Sequence, residues 1–511
     1  MNSKKLTKYA LFGVAAAMAS LTAQAETVYW TGESVYNAEW KSGSSEDAAN
    51  YSTGAKPSAA DDLVFDAGKL TGDAKNLFQP AAVLDVNSIT INEGYVSGRM
   101  EFRFNSWSKI KVAGDFNFFQ RGGQFNFQGS GSGANTPSLV VGGNLVLGSA
   151  DTTSDSRATY KFTAGRDNET TGWGPVEVKA QGNLVLNKSV NALFDGRTKT
   201  VFDVTNDNAA TAAQVYFGGT INFVRENDSE NPNLSLVSRD SAGATVGAST
   251  INVVSSNGVN GKGTISSTGN TDASKSYVGV LHLRNSSEQV FDGWVYDGAN
   301  AKTMIVMEAS DPLGAQRFTG NNLAFSGGVI VRNGTLDLRT HGLDTWVTKD
   351  SSLSHGKLTM SGGTLKITGI NGSVKQFGFD SVEYDGGTID LTILGETDSG
   401  LKLHSANDSG TSFDFGSEVT GYTIVDFYLT GEGIDLTDGR EYRIIEWTSK
   451  SSLSADKFQA NSIGDFEAEF DVRDDGLYVK YVNAVPEPAT VAAVFGLAAL
   501  GFALYRRRRQ C

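Results

Sequence analysis

Apolar positions in the body of this chain alternate with polar ones, in short runs that begin at a glycine. The runs are GDFNF (Gly114), GQFNF (Gly123), GNLVL (Gly143), GNLVL (Gly182), GTINF (Gly219), GTLDL (Gly334), GTLKI (Gly363) and GTIDL (Gly387). A period of two puts both apolar side chains on one face of a strand, and the glycine leaves φ unrestricted for a turn. Each copy therefore predicts a turn and a short half-buried strand. No stretch of the body keeps an apolar period near 3.6, so helices are not expected there.

Copies lie 29 residues apart from Gly334 to Gly363 and 24 apart from Gly363 to Gly387, intervals that fit one coil of a β-solenoid. Elsewhere they are irregular, 20 from Gly123 to Gly143 and 39 from Gly143 to Gly182, as intervening loops would make them. Such units bury their apolar face only when stacked. The expected fold is all-β, a right-handed parallel β-helix or solenoid with capping strands at both ends and one C-terminal hydrophobic helix. Antiparallel hairpins or stacked sandwiches would give the same local pattern.

At the front, Trp30-Thr31-Gly32, Trp40, Asn50-Tyr51, Gly54, Pro57, Asp61-Asp62 and Phe65 supply aromatics that either plug the open end of a solenoid or stack on sugar rings; capping is the expectation. At the rear, residues 421–429, 441–447 and 466–482 alternate strongly around a turn at Asp474-Asp475-Gly476 and predict terminal strands. The two ends would thereby be protected against edge-to-edge pairing.

The pattern changes at both termini. Residues 1–25 carry a basic start, an apolar run from Tyr9 to about Ala19 and the small-residue sequence Ala23-Gln24-Ala25 before Glu26, the arrangement of a secretory signal peptide. Export through the Sec machinery, with cleavage between Ala25 and Glu26, is expected. Near the end, Ala489 to Tyr505 is a 17-residue uncharged run. As a helix it would be about 25 Å long, only just enough for a transmembrane segment. Arg506, Arg507, Arg508 and Arg509 would hold its cytoplasmic side. Two prolines in Val485-Pro486-Glu487-Pro488 force an extended, accessible segment before it.

That order of parts resembles the PEP-CTERM sorting signal of diderm bacteria. The resemblance implies an exosortase as partner, processing near Pro486-Glu487-Pro488, transient anchoring in the inner membrane, and delivery to the cell surface, the envelope or an exopolysaccharide matrix. The glycine-led strands are similar to the autotransporter-associated β-strand repeat, best at 333–338, 362–367 and 386–391. The N-terminal aromatics also resemble the opening of such passenger-like proteins, with Tyr51 where a tryptophan is usual.

Composition sharpens this picture. Glycine supplies 59 residues against 8 prolines, above the usual share of about 7%. Residues 26–505 hold 36 basic and 57 acidic side chains, a net of −21, which disfavours nucleic acid as a partner. Cys511 is the only cysteine, so the body has no disulfide, cysteine-based metal site or cysteine nucleophile.

Candidate chemistry is sparse. His282, His341, His355 and His404 lie far apart without metal-ligand spacing, and no nucleophile elbow, P-loop or zinc-protease motif occurs. Asp61-Asp62, Glu226 with Asp228 and Glu230, Asp380 with Glu383 and Asp385, and Asp471 with Asp474 and Asp475 are the places where Ca²⁺ or glycoside chemistry would sit. None follows a known calcium-loop order, so no cofactor is expected. The division expected is a signal peptide (1–25), an N-terminal cap with first strands (26–110), a repeat region (111–420), capping strands (421–484) and the sorting signal (485–511). The body is expected to be a noncatalytic, adhesin-like or structural protein. The alternatives are a polysaccharide lyase or hydrolase on a β-helix and a carbohydrate-binding surface module.

Overall fold

The structure, a computed structural model, describes residues 25–34, 42–73, 77–80, 83–96, 99–104, 108–127, 137–149, 158–164, 177–196, 215–238, 250–269, 277–320, 322–341, 355–370, 377–393, 401–403, 413–414, 425–430, 436, 439–447, 454–483 and 488–508. Nearly all of its regular structure is β, in sheets whose strands pair in parallel, followed by one helix, α1 (Pro488–Arg508).

The repeat reads directly from strand register. Lys109–Val112, Phe116–Phe118 and Gly123–Phe127 follow one another in the chain, and each pairs with the equivalent strand of the next circuit: Ser138–Val141, Leu145–Leu147 and Ala158–Ala164. Repetition of this rule builds three stacks of parallel strands. The first runs from Val83–Val86 and the second from Thr27–Tyr29, and they join in one 25-stranded sheet. The third runs from Ser42–Ser44 to Asn322–Ala324 as a ten-stranded sheet. At about 4.8 Å per strand, ten strands rise roughly 43 Å. Consecutive strands of one coil belong to different stacks, so the hairpin and sandwich alternatives do not describe the body.

In-register stacking decides what fills the interior. Phe102, Phe125, Phe162 and Phe194 occupy one column of the third stack, with ring centroids 4.8, 4.5 and 4.6 Å apart and planes within 14° of parallel. A parallel sheet repeats each side chain's position in the next strand, so one aromatic ring selects another above it. One continuous apolar cluster extends from Val28 to Tyr481.

Register also separates copies of the motif that look alike in sequence. GQFNF lies in the third stack, as Gly123–Phe127, whereas the other seven copies lie at the corner entering the second stack or on its strands. The irregular 20-residue interval from Gly123 to Gly143 is thus a distance between two different stacks. The intervals of 29 and 24 residues are real coil lengths, since Thr335 pairs with Thr364 and Thr364 with Thr388.

Aromatic packing marks the front of the stack and an antiparallel hairpin its rear. Trp30 is 1% exposed and packs edge-on against Tyr51 (5.3 Å, 81°) and Phe78 (4.9 Å, 72°). Tyr51 donates its hydroxyl to the Ser45 carbonyl, and burial pushes its phenol well above the ordinary range. Trp40 lies outside the described residues. At the rear, Phe466–Arg473 and Gly476–Asn483 form an antiparallel hairpin around Asp474-Asp475. Its outer strand exposes Glu467, Glu469 and Asp471, charges that oppose pairing with another chain.

Candidate functional site

Helix α1 differs from everything before it. Phe495, Leu497, Leu500, Phe502, Leu504 and Tyr505 are 55–70% exposed, so its apolar surface does not join the core. Pro488 opens it, a position where the missing N–H costs nothing, and Arg506, Arg507 and Arg508 form its last turn, where cations oppose the helix dipole. Val485, Pro486, Glu487 and Arg509 lie outside the described residues. Residues 484–509 match the PEP-CTERM protein-sorting motif.

The sorting motif implies exosortase-dependent export and placement at the surface or envelope of a bacterial cell. It does not reach the glycine-led strands between Gly114 and Gly387, and so leaves the body's role open. No curated protein and no solved structure matches the chain. Among the described residues no helix is long and apolar enough to cross a membrane. The expected transmembrane segment is thus not shown; α1 is a short apolar helix, with 18 uncharged residues from Pro488 to Tyr505, about 27 Å.

At the other terminus, Ala23 lies outside the described residues, and Ala25 and Glu26 begin them. Asp62 N–H donates to the Glu26 carbonyl at 2.9 Å, so Glu26 is bonded to the strand that follows.

The acidic groups do not converge. Asp61 accepts from Ser58 N–H and Oγ and from Glu26 N–H, bonds that hold its carboxyl below the usual range, the Ser58 amide foremost. Asp62 accepts from Asn87 and Ser88. Glu226 pairs with Lys188 and Asp228 with Arg225, while buried Glu230 accepts from Glu226 N–H and Asn227. Glu383 pairs with Lys357, Asp471 with Arg473, and Asp475 with Arg443. Each is thereby tied to a neighbouring coil or its own turn. Among the described residues no group of three or more metal-ligating side chains assembles.

Two histidines have specific structural surroundings. His282 is fully buried, with Nε2 2.8 Å from Glu308 Oε2, while Arg332 Nη1 donates to the same oxygen at 3.2 Å. The hydrogen bond from His282 is the main cause holding Glu308 below its ordinary pKa, against burial. His355 lies between the ten-stranded sheet and the five-stranded sheet that follows it: Nδ1 is 2.9 Å from the Gly378 carbonyl and Nε2 is 2.8 Å from the Leu323 carbonyl. Its ring stacks on Phe377 at 3.8 Å. His341 ends a strand of the second stack, and His404 lies outside the described residues.

A further arrangement escaped sequence reasoning although its residues are in the motif. The polar residue after the glycine forms a ladder along the corner between the first and second stacks. Asn144 N–H donates to Asp115 Oδ1 (2.6 Å), Asn183 N–H to Asn144 Oδ1 (2.9 Å) and Thr220 N–H to Asn183 Oδ1 (2.8 Å). Asn257 Nδ2 then donates to Thr220 Oγ1 at 3.1 Å. The signal in sequence was the run of Asp, Asn, Asn and Thr at one motif position, whose side-chain oxygens all accept.

Proposed function

We propose that this protein is a noncatalytic element of the bacterial cell surface or extracellular matrix, adhesin-like or scaffolding, delivered by an exosortase through its C-terminal segment. The match of residues 484–509 to the sorting motif carries the reading. A stack of parallel coils with one uninterrupted core suits a role in which length and stiffness are the product. The body is an autotransporter-associated type of repeat wound right-handed, the hand of parallel strand crossovers in about 98% of cases.

In this scheme residues 1–25 direct secretion and are removed between Ala25 and Glu26. Helix α1 and Arg506 to Arg509 hold the chain temporarily at the inner membrane. Exosortase acts near Pro486-Glu487-Pro488 and releases the body outward. Burial of Trp30 against Tyr51 speaks for the cap rather than for a sugar platform at that end. The cluster of Glu308, His282 and Arg332 is held by the hydrogen bond between His282 and Glu308 and by the Arg332–Glu308 ion pair, with the histidine fully buried, which favours support of the coils over glycan cleavage.

The test compares the intact chain with a variant carrying alanines at Pro486, Glu487 and Pro488. Surface exposure and a drop in mass are expected for the former, and retention in the membrane fraction at full mass for the latter. Equal surface exposure at equal mass would overturn the sorting reading. Release of reducing ends or unsaturated sugars from a glycan panel would overturn the noncatalytic one.

A further inference from the structure

The outward face of the third stack changes character at one strand. Of the tryptophans among the described residues, Trp30 and Trp447 are buried, whereas Trp294 is 47% exposed. Strand Trp294–Asp297 alternates so that Val295 enters the core and Trp294 and half-buried Tyr296 face outward, two residues apart on the same side. Register fixes what flanks them. Trp294 stands between Thr264 and Asn322, with Asn233 one coil further, and Tyr296 lies beside Ser266. Of these neighbours Thr264 and Ser266 are buried, half-buried Asn322 and Asn233 carry the accessible amides, Ala324 flanks the phenol on its other side, and none of them is ionisable.

From this face we propose a binding strip for a neutral polysaccharide centred on Trp294 and Tyr296. This deepens the surface or matrix reading above and rests on it. An indole and a phenol ring offer flat apolar faces to the C–H side of a pyranose, and both carry a polar edge for its hydroxyls. The amides of half-buried Asn322 and Asn233, on coils to either side of the indole, supply donors and acceptors for those hydroxyls. Charge selects among glycans: with a net of −21 over residues 26–505, the body repels polyanions. A neutral chain laid across the coils meets neither repulsion nor the cost of stripping water from an ion.

The test is affinity electrophoresis of the purified full chain, in mild detergent, through native gels containing hydroxyethyl cellulose or galactomannan, with alginate as the acidic counterpart. Retardation by a neutral polymer and not by alginate is expected. Trp294→Ala weakens it about tenfold, the size of one aromatic contact, and Trp294→Phe less. Tyr296→Phe retains binding where Tyr296→Ala loses part of it. Leu313→Ala removes an apolar side chain that is 86% exposed elsewhere and controls for general stickiness. Unfolding curves of Trp294→Ala should match those of the parent chain. Retardation that Trp294→Ala leaves unchanged, that Leu313→Ala reduces equally, that alginate alone produces, or that neither neutral polymer produces overturns the proposal. Surface delivery of Trp294→Ala, followed separately, stays normal in every case, so failure here is distinguishable from failure of the sorting reading.

Discussion

Early and late coils use the same glycine-led motif to turn the same corner by different means. In the early coils, Gly114, Gly143, Gly182 and Gly219 all lie outside the left-handed region of φ. Glycine is needed at the later three because the preceding coil comes too close. A Cβ on Gly182 would lie 2.7 Å from the Gly143 carbonyl oxygen and from Asn144 Oδ1. The amides stack too, Gly182 N–H donating to the Gly143 carbonyl at 2.9 Å. In the late coils, Gly334, Gly363 and Gly387 have φ of 75°, 65° and 100°, where an L side chain is strained even with space around it. At Gly363 and Gly387 the corner no longer breaks the strand, and Lys357–Ile370 and Ser381–Thr392 run through both stacks. Charge replaces amides on the late outward face, where Arg317, Asp337, Lys366 and Asp390 succeed one another in register. One motif therefore encodes a backbone approach in one region and a backbone conformation in the other.

A glycine-to-alanine series tests that difference most severely. Gly363→Ala combines a left-handed φ with a Cβ 2.6 Å from the Gly334 carbonyl oxygen, and is expected to cost about 3–4 kcal/mol. Gly182→Ala meets crowding alone, at about 1–3 kcal/mol. Gly114→Ala, whose nearest neighbour is the Asn87 carbonyl oxygen at 3.1 Å, should cost less than about 1 kcal/mol. Denaturant midpoints of the three variants check the order, and equal losses at Gly182 and Gly363 would erase the distinction.

The next effect belongs to the late region. His355→Leu keeps the volume and the bond from the residue 355 N–H to the Gly378 carbonyl, but leaves the Leu323 carbonyl without the ring, at a cost of about 1–3 kcal/mol. Hydrogen exchange should rise first around residues 377–379. In the early region, Asn183→Ala removes the acceptor for Thr220 N–H and should cost about 0.5–1.5 kcal/mol, while Asn183→Asp, the residue type that begins the ladder, should retain most of it.

The smallest effect is a pH dependence. Glu308 is held below its ordinary value, so its contribution is present above the unfolded carboxylate range, near 4.3, and is lost as pH falls through its lower folded value. Glu308→Gln should flatten the acid limb of stability and change little at neutral pH. An acid limb as steep as that of the parent chain would assign the loss to other carboxylates.

Much of this arrangement was legible in the alternation. Strand type, the 29- and 24-residue coils and the terminal hairpin followed from period-two runs and turn residues, because half-buried strands must alternate wherever they sit. The burial of Trp30 and Tyr51 agrees with the expectation that the front aromatics pack inward rather than stack on sugars. The assignment of GQFNF to a different stack was not, since its local pattern is that of its neighbours and only pairing with Met100–Phe104 and Ala158–Ala164 reveals its place. Nor was the ladder through Asp115, Asn144 and Asn183, whose partners lie 29 to 39 residues away across loops of varied length.

At the chain's end the division is equally plain. Order of residues alone marked the sorting segment, because a processing enzyme reads an accessible linear sequence. Tertiary structure decided that α1 stays off the core and that Trp294 faces outward while Trp30 and Trp447 are buried. Local sequence determines which side chains share a face; only stacking of distant coils determines whether that face meets the core, another coil or water.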